Sequence, residues 1–368
     1  MRIGIIGAGQ LGQMLGHAAA DLGHRCYFLD PSAHPPAATV GPVIQARFDD
    51  PVALAILAEK CDVLTYEFEN VPVDTLVECA DLAPIYPPPD ALRQAQDRLA
   101  EKRLFGHLEI PIAAFHPINS AADLEDAAES IGLPMVVKTR RMGYDGKGQA
   151  VLRDAGQIAD VWQELGTNAL IAEQWVAFDY EVSAIGVRNA DGDIANYCLT
   201  RNEHAGGILR VSRAPVEDAE LTARAERYLR RILEHLEYVG ALALELFVVG
   251  EKLLANEFAP RVHNSGHWTI EGAETSQFTN HLLAITNKQP GSTGNRGHAG
   301  MINLIGDIPD AARQLPQGWL HDYGKAPRPG RKLGHITVVA ESGDDRDRQI
   351  LEIIDSVTPS TRPSGTAT

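Results

Sequence analysis

A glycine-rich turn directly follows the first apolar run of the chain, and this feature restricts the fold more than any other. Gly7, Gly9 and Gly12 have G-x-G-x-x-G spacing immediately after residues 3–6. Glycines so spaced permit a tight turn and bring a helix N-terminus, whose free N–H groups favour anions, close to a phosphate. Asp30 closes the next apolar run, at the position that binds a ribose in dinucleotide-binding folds. The pattern predicts a β-α-β start, with a dinucleotide, another anion or no ligand at the helix end.

Strand-like and helix-like segments alternate in the N-terminal quarter of the sequence. The strand patterns "RIGII", "RCYFLD" and "DVLTYEF" are separated by a helical pattern from about Gln10 and another near "PVALAILAEK". This alternation predicts a parallel, doubly wound sheet. The next stretch, "YPPPDAL" at 86–92, predicts a turn and the first domain boundary.

The central part of the chain carries further helix and strand signals. They predict a helix over about 97–106, a capped helix from Ser120, the buried strand "LPMVVKT" and a long helix over 216–237. The stretch "KQPGSTGNRGHAG", from Lys288, predicts an exposed connector. The last residues, "TPSTRPSGTAT", are too polar and too rich in Pro and Ser for us to expect order.

Composition excludes several classes of function. The 368 residues include 33 Lys and Arg against 49 Asp and Glu, and the net charge of −16 argues against a general nucleic-acid or acidic-membrane surface. The cysteines show neither C-x-x-C nor Cys/His ligand spacing, so we expect no zinc site, no disulfide framework and a reducing cytoplasm. The N-terminus lacks a signal-peptide pattern, and no apolar run approaches the length of about eighteen residues that a membrane span needs.

A basic glycine loop is the first candidate site. In "VVKTRRMGYDGKGQAVL" a lysine leaves a buried strand and is followed by a loop rich in glycine and positive charge. Glycines let backbone N–H groups fold over phosphate oxygens, so the pattern favours phosphate binding, although a flexible basic hairpin is the alternative. No G-K-[ST] is present, so this is not a Walker loop. The glycines are Gly143, Gly146 and Gly148, and the basic residues are Lys138, Arg140, Arg141 and Lys147.

Two glutamates in a predicted hairpin form the second candidate site. The stretch "GALALELFVVGEKLLANEFAPR" predicts strands over 241–248 and 253–258 with a turn centred on Glu251, which places Glu245 opposite Glu257. Directly opposed like charges destabilise a sheet unless a cation lies between them. Carboxylate oxygens suit Mg²⁺, which completes its coordination with water and phosphates. The alternatives are solvent-facing glutamates or a register shifted by one residue, which turns one glutamate away.

A third pattern suits a nucleoside. The strand in "ALIAEQWVAFDYEVSAIGV" ends in Glu173, Gln174, Trp175 and Val176, which offer backbone hydrogen-bonding groups beside apolar surface, as a purine edge requires. Glu181 opens the next strand and is a candidate acceptor from ribose hydroxyls. The two glutamates are equally compatible with ordinary acids at strand ends.

Together these residues resemble the ATP-grasp superfamily. More narrowly, six motifs in order resemble the 5-(carboxyamino)imidazole ribonucleotide synthase family: "GAGQLGQML", "TYEFENV", "GYDGKGQ", "HAGGILR", "NEFAPRVHNSGHW" and "RPGRKLGH". The resemblance implies α/β and α+β architecture: a Rossmann-like domain at 1–95, an ATP-grasp domain at 96–290 with a mobile lid at about 133–176, and a small β-rich domain at 291–368. It also implies ATP- and bicarbonate-dependent carboxylation of 5-aminoimidazole ribonucleotide in purine biosynthesis, and a homodimer.

The resemblance assigns roles to matching residues. Glu245 and Glu257 would bind Mg²⁺, while Arg261 and His263 would position bicarbonate and the carboxyphosphate made from it. Lys138 and the metal would offset the charge on transferring phosphate oxygens, and His263 would move a proton as the acceptor amine attacks. The residues matching the ATP site are Arg98, Lys138, Gly143, Tyr144, Asp145, Gly146, Lys147, Gly148, Gln149, Glu173, Gln174, Trp175, Val176, Glu181, His204, Asn256 and Glu257.

The resemblance also changes the interpretation of the opening glycines. In this family the first domain binds the acceptor, so the turn would approach that substrate and not NAD, and Asp30 loses its ribose role. The residues matching the acceptor site are Gly9, Gln10, Leu11, Glu67, Tyr144, Asp145, Lys147, Arg261, His263, Lys325, Arg331 and Lys332. The sequence leaves open which of Lys325, Arg328, Arg331 and Lys332 binds the acceptor phosphate. An NAD-dependent dehydrogenase and a non-catalytic ATP sensor remain as alternative hypotheses.

Overall fold

The protein contains three β-sheets, two of four strands and one of nine, in a computed structural model that describes residues 1–143, 147–166 and 169–357. The sequence predictions for Tyr144, Asp145, Gly146 and the C-terminal tail lie outside these residues. No helix in the described part of the chain is both long and apolar enough to cross a membrane.

The N-terminal sheet is parallel, as the alternating pattern predicts. Its strands are β1 (Arg2–Ile6), β2 (Arg25–Asp30), β3 (Val43–Gln45) and β4 (Val63–Tyr66), and its helices are α1 (Gln10–Asp21), α2 (Pro51–Lys60) and α3 (Val73–Glu78). The strand order is β3-β2-β1-β4, so β1 lies between β2 and β4. The carboxyl ends of β1 and β4 therefore lie side by side, at the edge where such sheets bind ligands. The sequence analysis missed β3, which has only three residues.

Two short helices connect this sheet to the rest of the chain. They are α4 (Pro89–Ala95) and α5 (Arg98–His107). The stretch predicted as a turn enters α4 at Pro89, because proline at the first helical position has a suitable φ and needs no N–H partner. Asp97 caps α5 by accepting from the backbone N–H groups of Leu99 and Ala100.

The smaller antiparallel sheet has one face covered by helices. Its strands are β5 (Phe115–Ile118), β6 (Met135–Thr139), β7 (Gln149–Leu152) and β8 (Leu170–Gln174), and its helices are α6 (Ala121–Ile131) and α7 (Ile158–Leu165). Met135 and Val137 of β6 pack into this helix-covered core. Successive strand residues point to opposite faces of a sheet. Val136 and Lys138, which alternate with Met135 and Val137, therefore face away from the helices.

The nine-stranded sheet contains most of the second half of the chain. Its strands are β9 (Tyr180–Arg188), β10 (Ile194–Asn196), β11 (Thr200–Ala205), β12 (Ile208–Ala214), β13 (Gly240–Val249), β14 (Lys252–Ala259), β15 (His298–Ile305), β16 (Trp319–Asp322) and β17 (Lys332–Ala340). Its helices are α8 (Ala219–His235), α9 (Thr269–Gly272), α10 (Gln277–Ile285), α11 (Asp310–Arg313) and α12 (Gly343–Val357). The order is β14-β13-β9-β11-β12-β15-β17-β16, with β10 beside β9. The sheet continues across the predicted boundary at residue 290, so the division into three domains stays a prediction.

The β13–β14 hairpin pairs Glu245 with Glu257, but the reason differs from the one predicted. The strands pair Val249 with Lys252 at the turn, a register that by itself places Glu245 opposite Asn256. A β-bulge between Glu245 and Leu246 shifts the register by one residue. The bulge, and not a turn centred on Glu251, therefore brings the two glutamates into opposition and to the same face of the sheet.

The capped helix α6 provides a test of local stability. Ser120 accepts from the Asp123 N–H, and the Asp123 carboxylate accepts from the Ser120 N–H. We expect Ser120→Ala to cost about 1 kcal/mol, because a helix donor loses its partner. The measurement is hydrogen exchange of residues 121–131, which we expect to accelerate about fivefold. Ser130→Ala, which removes only a hydroxyl bonded to the Ala127 carbonyl, is the control. Equal acceleration in both variants would refute the role of the cap.

Candidate active site

A cleft with a volume of about 480 Å³ opens between the three sheets. Residues from the start of α1, from α5, from β6 and β8, and from β13 and β14 form its walls. The sequence-predicted residues that line it are Gln10, Leu11, Arg98, Lys138, Gly143, Lys147, Gln149, Glu173, Gln174, Trp175, Val176, Glu181, His204, Glu245, Asn256, Glu257, Arg261, His263 and Lys332. Residues of the basic loop, the hairpin acids and the nucleoside strand thus meet at one place, together with Gln10 and Leu11 from the motif of the opening glycine turn.

Two lysines share one buried carboxylate at the floor of the cleft. Lys138 Nζ lies 3.1 Å from Glu173 Oε1, and Lys102 Nζ lies 3.3 Å from Glu173 Oε2. Burial acts to raise the pKa of Glu173, but the two ammonium groups outweigh it and lower that pKa. Burial lowers the pKa of Lys138, and the attraction to Glu173 offsets this only in part. The Glu173 side chain therefore holds lysines at the cleft wall, and its predicted contact with adenine stays a prediction.

The two opposed glutamates have different neighbours. Arg98 donates to Glu257 Oε2 at 2.7 Å, while His263 Nε2 lies 3.0 Å from Glu245 Oε1. Burial acts to raise the pKa of Glu257, but Arg98 outweighs it and holds that pKa well below the ordinary range. Glu257 is therefore an ionised ligand at neutral pH, with its second oxygen still available.

The donor set at this pair fits a hard divalent cation. Two carboxylates face the cleft, and the buried Oδ1 of Asn256, between them in the bulge, has no hydrogen-bond partner among the described residues. Buried amide oxygens are normally satisfied, so a missing partner at Asn256 is informative. Mg²⁺ prefers carboxylate and amide oxygens and completes its shell with water and phosphate. Glu245, Glu257 and Asn256 are therefore the residues that suit a bound magnesium ion.

The part of the cleft where the sequence predicts a nucleoside combines an apolar wall with a hydrogen-bonded His–Glu pair. The rings of Phe178 and Phe247 stack with centroids 4.7 Å apart. His204 Nδ1 lies 2.6 Å from Glu181 Oε2. Burial acts to lower the pKa of His204, but its hydrogen bond to Glu181 outweighs burial and raises that pKa. The predicted ribose acceptor Glu181 thus already has one oxygen paired, and only its other oxygen is available to a hydroxyl.

Arg261 and His263 follow the end of β14 and line the cleft. Arg261 pairs with Glu69 at 2.8 Å. Both ring nitrogens of His263 have neighbours, because Nδ1 lies 2.8 Å from the Ser265 hydroxyl and Nε2 lies beside Glu245. These contacts fix the orientation of the ring at the cleft wall.

The opening glycine turn holds a carboxylate of the protein itself. The Gly9 N–H donates to Glu67 Oε1 at 2.6 Å, and a Cβ added at Gly7 or Gly9 would lie 2.8 Å or 2.9 Å from atoms of Glu67. Gly7 has a φ of 100°, which also favours glycine. Asp30 accepts from the Ala8 N–H at 2.9 Å and is buried. The turn thus accommodates the Glu67 side chain where a dinucleotide-binding fold holds a pyrophosphate. Asp30 stabilises the backbone of the turn at Ala8.

A basic segment approaches this turn from the C-terminal part of the sheet. Lys325 donates to the Gln10 side chain. Burial and the neighbouring basic residues lower the pKa of Lys325 to about 8. Arg331 donates to the Ala326 carbonyl at 3.2 Å, and Lys332 faces the cleft. Lys325 is thus the member of the segment that contacts a residue of the glycine turn.

Some predicted residues lie beside the cleft, and some residues of the cleft were missed. The predicted residues that do not line it, among those described, are Gly9, Glu67, Gly148, Lys325 and Arg331. Sequence analysis missed Glu101 and Lys102, both almost fully buried at its wall. Helical spacing was an available signal, because Lys102 lies four residues after Arg98 on the same face of α5.

The shared carboxylate predicts strong coupling between Lys102 and Glu173. We expect Lys102→Met to destabilise the protein by about 3 kcal/mol, because it leaves a buried carboxylate with one cation fewer. Glu173→Gln combined with Lys102→Met should cost less than the sum of the single changes. The measurement is urea denaturation of the four proteins in the cycle, with the exposed Lys288→Met as the control. Strictly additive effects would contradict the coupling.

Comparisons with known proteins agree with this geometry. The family models that match are the ribonucleotide synthetase preATP-grasp domain over residues 1–96, the ATP-grasp domain over 103–278 and the phosphoribosylaminoimidazole carboxylase C-terminal domain over 299–349. The N5-carboxyaminoimidazole ribonucleotide synthase of Pseudomonas aeruginosa is 48% identical over 96% of this chain and 98% of its own.

Solved structures show the same similarity. The N5-carboxyaminoimidazole ribonucleotide synthetase of Thermus thermophilus has a TM-score of 0.93 at 46% identity, covering 98% of this chain and 100% of its own. The Aspergillus clavatus synthase, solved with ADP and 5-aminoimidazole ribonucleotide, has a TM-score of 0.90 at 30% identity, covering 97% and 98%. The predicted fold class is therefore confirmed. The chain belongs to the N5-carboxyaminoimidazole ribonucleotide synthase family and is an ATP-grasp ligase.

Proposed function

We propose that the protein carboxylates 5-aminoimidazole ribonucleotide to its N5-carboxyamino derivative in purine biosynthesis, using ATP and bicarbonate. The observation that carries this proposal is the meeting of Lys138 and the opposed pair Glu245 and Glu257 in one cleft. A relative in the same family was solved with ADP and the aminoimidazole ribonucleotide. The test is release of ADP and phosphate that requires Mg²⁺, bicarbonate and this acceptor together. Turnover with formate or an amino acid instead would contradict the proposal.

The first chemical step is attack of bicarbonate on the γ-phosphate of ATP. Transfer of a phosphoryl group is catalysed mainly by positioning and by charge stabilisation. Lys138, held by Glu173, offers its ammonium to the transferring oxygens from the cleft wall. A magnesium ion held by Glu245, Glu257 and Asn256 would neutralise further charge on the phosphates. Arg98, paired with Glu257, lies within the same part of the cleft and suits a phosphate contact.

In the second step the amine of the acceptor attacks the carbon of carboxyphosphate: the C–N bond forms, the C–O bond to phosphate breaks, inorganic phosphate leaves and the amine loses a proton. Arg261 has a planar guanidinium that suits the oxygens of carboxyphosphate, and Glu69 fixes its position at 2.8 Å. His263 suits a proton-transfer role because its ring is oriented by Ser265 and Glu245. Since carboxyphosphate is short-lived in water, the step also requires exclusion of solvent.

We assign the acceptor to the side of the cleft that the glycine turn forms. Gln10 and Leu11 line the cleft at the start of α1, and Lys325 reaches Gln10. We assign the 5′-phosphate to Lys325, because its partly buried ammonium gains most from a dianion. Arg331 and Lys332 supply positive charge around it.

Four features of the wider assignment are proposals. Mg²⁺ is supported by the oxygen donors of the hairpin, and bicarbonate by the presence of both Arg261 and His263 at the cleft. A cytoplasmic location is supported by four cysteines that are all free thiols. A homodimer rests on the resemblance, and sedimentation equilibrium is the measurement that tests it.

The metal assignment makes a direct prediction. We expect Glu245→Gln and Glu257→Gln each to lower kcat by about 10²–10³, because each weakens the hold on the cation that offsets the charge of the transferring phosphate. We also expect the Mg²⁺ concentration for half-maximal rate to rise. Glu251→Gln, in the exposed hairpin turn, is the matched control and should behave as the unaltered protein. Near-normal turnover in the two cleft variants would show the assignment to be wrong.

The assignment of Lys325 predicts a pH dependence. Its pKa of about 8 means that the ammonium is charged below this pH and neutral above it. We therefore expect the KM for the aminoimidazole ribonucleotide to be lowest below pH 8 and to rise at higher pH, by up to about tenfold per pH unit. Lys325→Gln should raise KM at every pH and abolish this rise. Lys288→Met is the control, and an unchanged pH profile in Lys325→Gln would exclude the assignment.

A further inference from the structure

The bulge at Asn256 decides which way Glu257 points, and the sequence of the hairpin alone does not require it. A regular continuation from the turn pairs Glu245 with Asn256 and places Glu257 on the opposite face. The bulge leaves Asn256 outside the ladder. A buried backbone group that loses its ladder partner needs another one, so something outside the hairpin has to stabilise this irregularity.

Helix α5 supplies those partners from the side. β14 is the last strand of its sheet, so its outer edge has no neighbouring strand of that sheet. Lys102 donates to the Asn256 carbonyl at 2.5 Å, and the Phe258 N–H donates to Glu101 Oε1 at 2.7 Å. These contacts fall on the first residue and the third residue of the segment 256–258. Arg98 of the same helix holds the side chain of the middle residue, Glu257.

The side chains of Glu101 and Lys102 are buried where they contact the bulge. Glu101 is 2% exposed and Lys102 is 1% exposed, so water does not compete with the backbone of β14 for these side chains. The backbone edge just before the bulge is also covered, because the Ala255 N–H donates to the Pro111 carbonyl at 2.7 Å. The edge of β14 is thus held from residue 255 to residue 258.

We propose that Glu101 and Lys102 are positioning residues that fix the β-bulge at Asn256 and thereby align Glu257 with Glu245 for a divalent cation. This inference rests on the proposed metal site. Lys102 also shares Glu173 with Lys138, so α5 sets the metal carboxylates and the phosphate-facing lysine relative to each other. Loss of an outer partner of a metal ligand typically costs about 10–100-fold in metal affinity.

The test compares two substitutions of Glu101. Glu101→Gln keeps an oxygen that accepts from the Phe258 N–H, whereas Glu101→Leu removes it at similar volume. The probe is Mn²⁺, titrated in the presence of ADP and followed by electron paramagnetic resonance. We expect the Kd for Mn²⁺ to rise at least about tenfold in Glu101→Leu and to stay within about twofold in Glu101→Gln. The Kd for ADP without metal should be unchanged in both.

A second measurement tests directly whether Glu101 holds the backbone at the bulge. We expect the amide of Phe258 to exchange hydrogen faster in Glu101→Leu and at the unaltered rate in Glu101→Gln. If Glu101→Leu does not fold, Glu101→Asp withdraws the acceptor by one carbon–carbon bond, about 1.5 Å, and should give the same loss of Mn²⁺ affinity.

The outcomes separate this inference from the proposed function. Unaltered Mn²⁺ affinity in Glu101→Leu, or equal loss in Glu101→Gln, would overturn the positioning role while leaving the metal site in place. If the unaltered protein does not bind Mn²⁺ with ADP, then the metal site and the inference both fail. A loss of Mn²⁺ affinity in Glu101→Leu alone, with metal-free ADP binding retained, supports the inference.

Discussion

The opposition of two carboxylates across neighbouring strands is the constraint on which the rest of this molecule depends. Glu245 and Glu257 face each other on one side of β13 and β14, an arrangement that destabilises a sheet unless positive charge is close. The fold supplies that charge at Glu257 through Arg98, while the His263 ring lies beside Glu245. These two partners belong to different parts of the chain, so the pair is stable only once the tertiary structure has formed.

Helix α5 contacts three parts of the cleft. One face of its first two turns reaches Glu257 through Arg98, the backbone of β14 through Lys102, and Glu173 of the small sheet also through Lys102. Burial makes these contacts strong, because charges in a dry environment interact more strongly than in water. A displacement of α5 would therefore disturb the positions of Glu173, Lys138 and Glu257 together.

The glycine turn shows how one backbone motif serves different ligands. The sequence left open a dinucleotide, another anion or no ligand at the turn, and in the structure the Gly9 N–H donates to the carboxyl group of Glu67 in the same chain. Burial raises the pKa of Glu67, while the Gly9 N–H and the charge of Arg261 act in the opposite direction. Glycines without side chains, free backbone N–H groups and a helix N-terminus thus favour an acidic group, whether it belongs to a ligand or to the protein. Asp30 is a second example. In a dinucleotide-binding fold this residue would contact a ribose, whereas here its carboxylate stabilises the turn by accepting from the Ala8 N–H.

The sequence by itself determined the parallel N-terminal sheet, the Ser120 cap, the glutamate hairpin and the basic loop, because periodicity, capping and charge opposition act over a few residues. It also suggested that Glu245 and Glu257 face each other, although from an incorrect register. Only the tertiary structure decided the bulge, the buried lysine Lys102 and the carboxylate that fills the glycine turn. Each of these depends on groups that are distant along the chain, since partners for a freed backbone group or a buried charge are chosen by packing and not by local pattern.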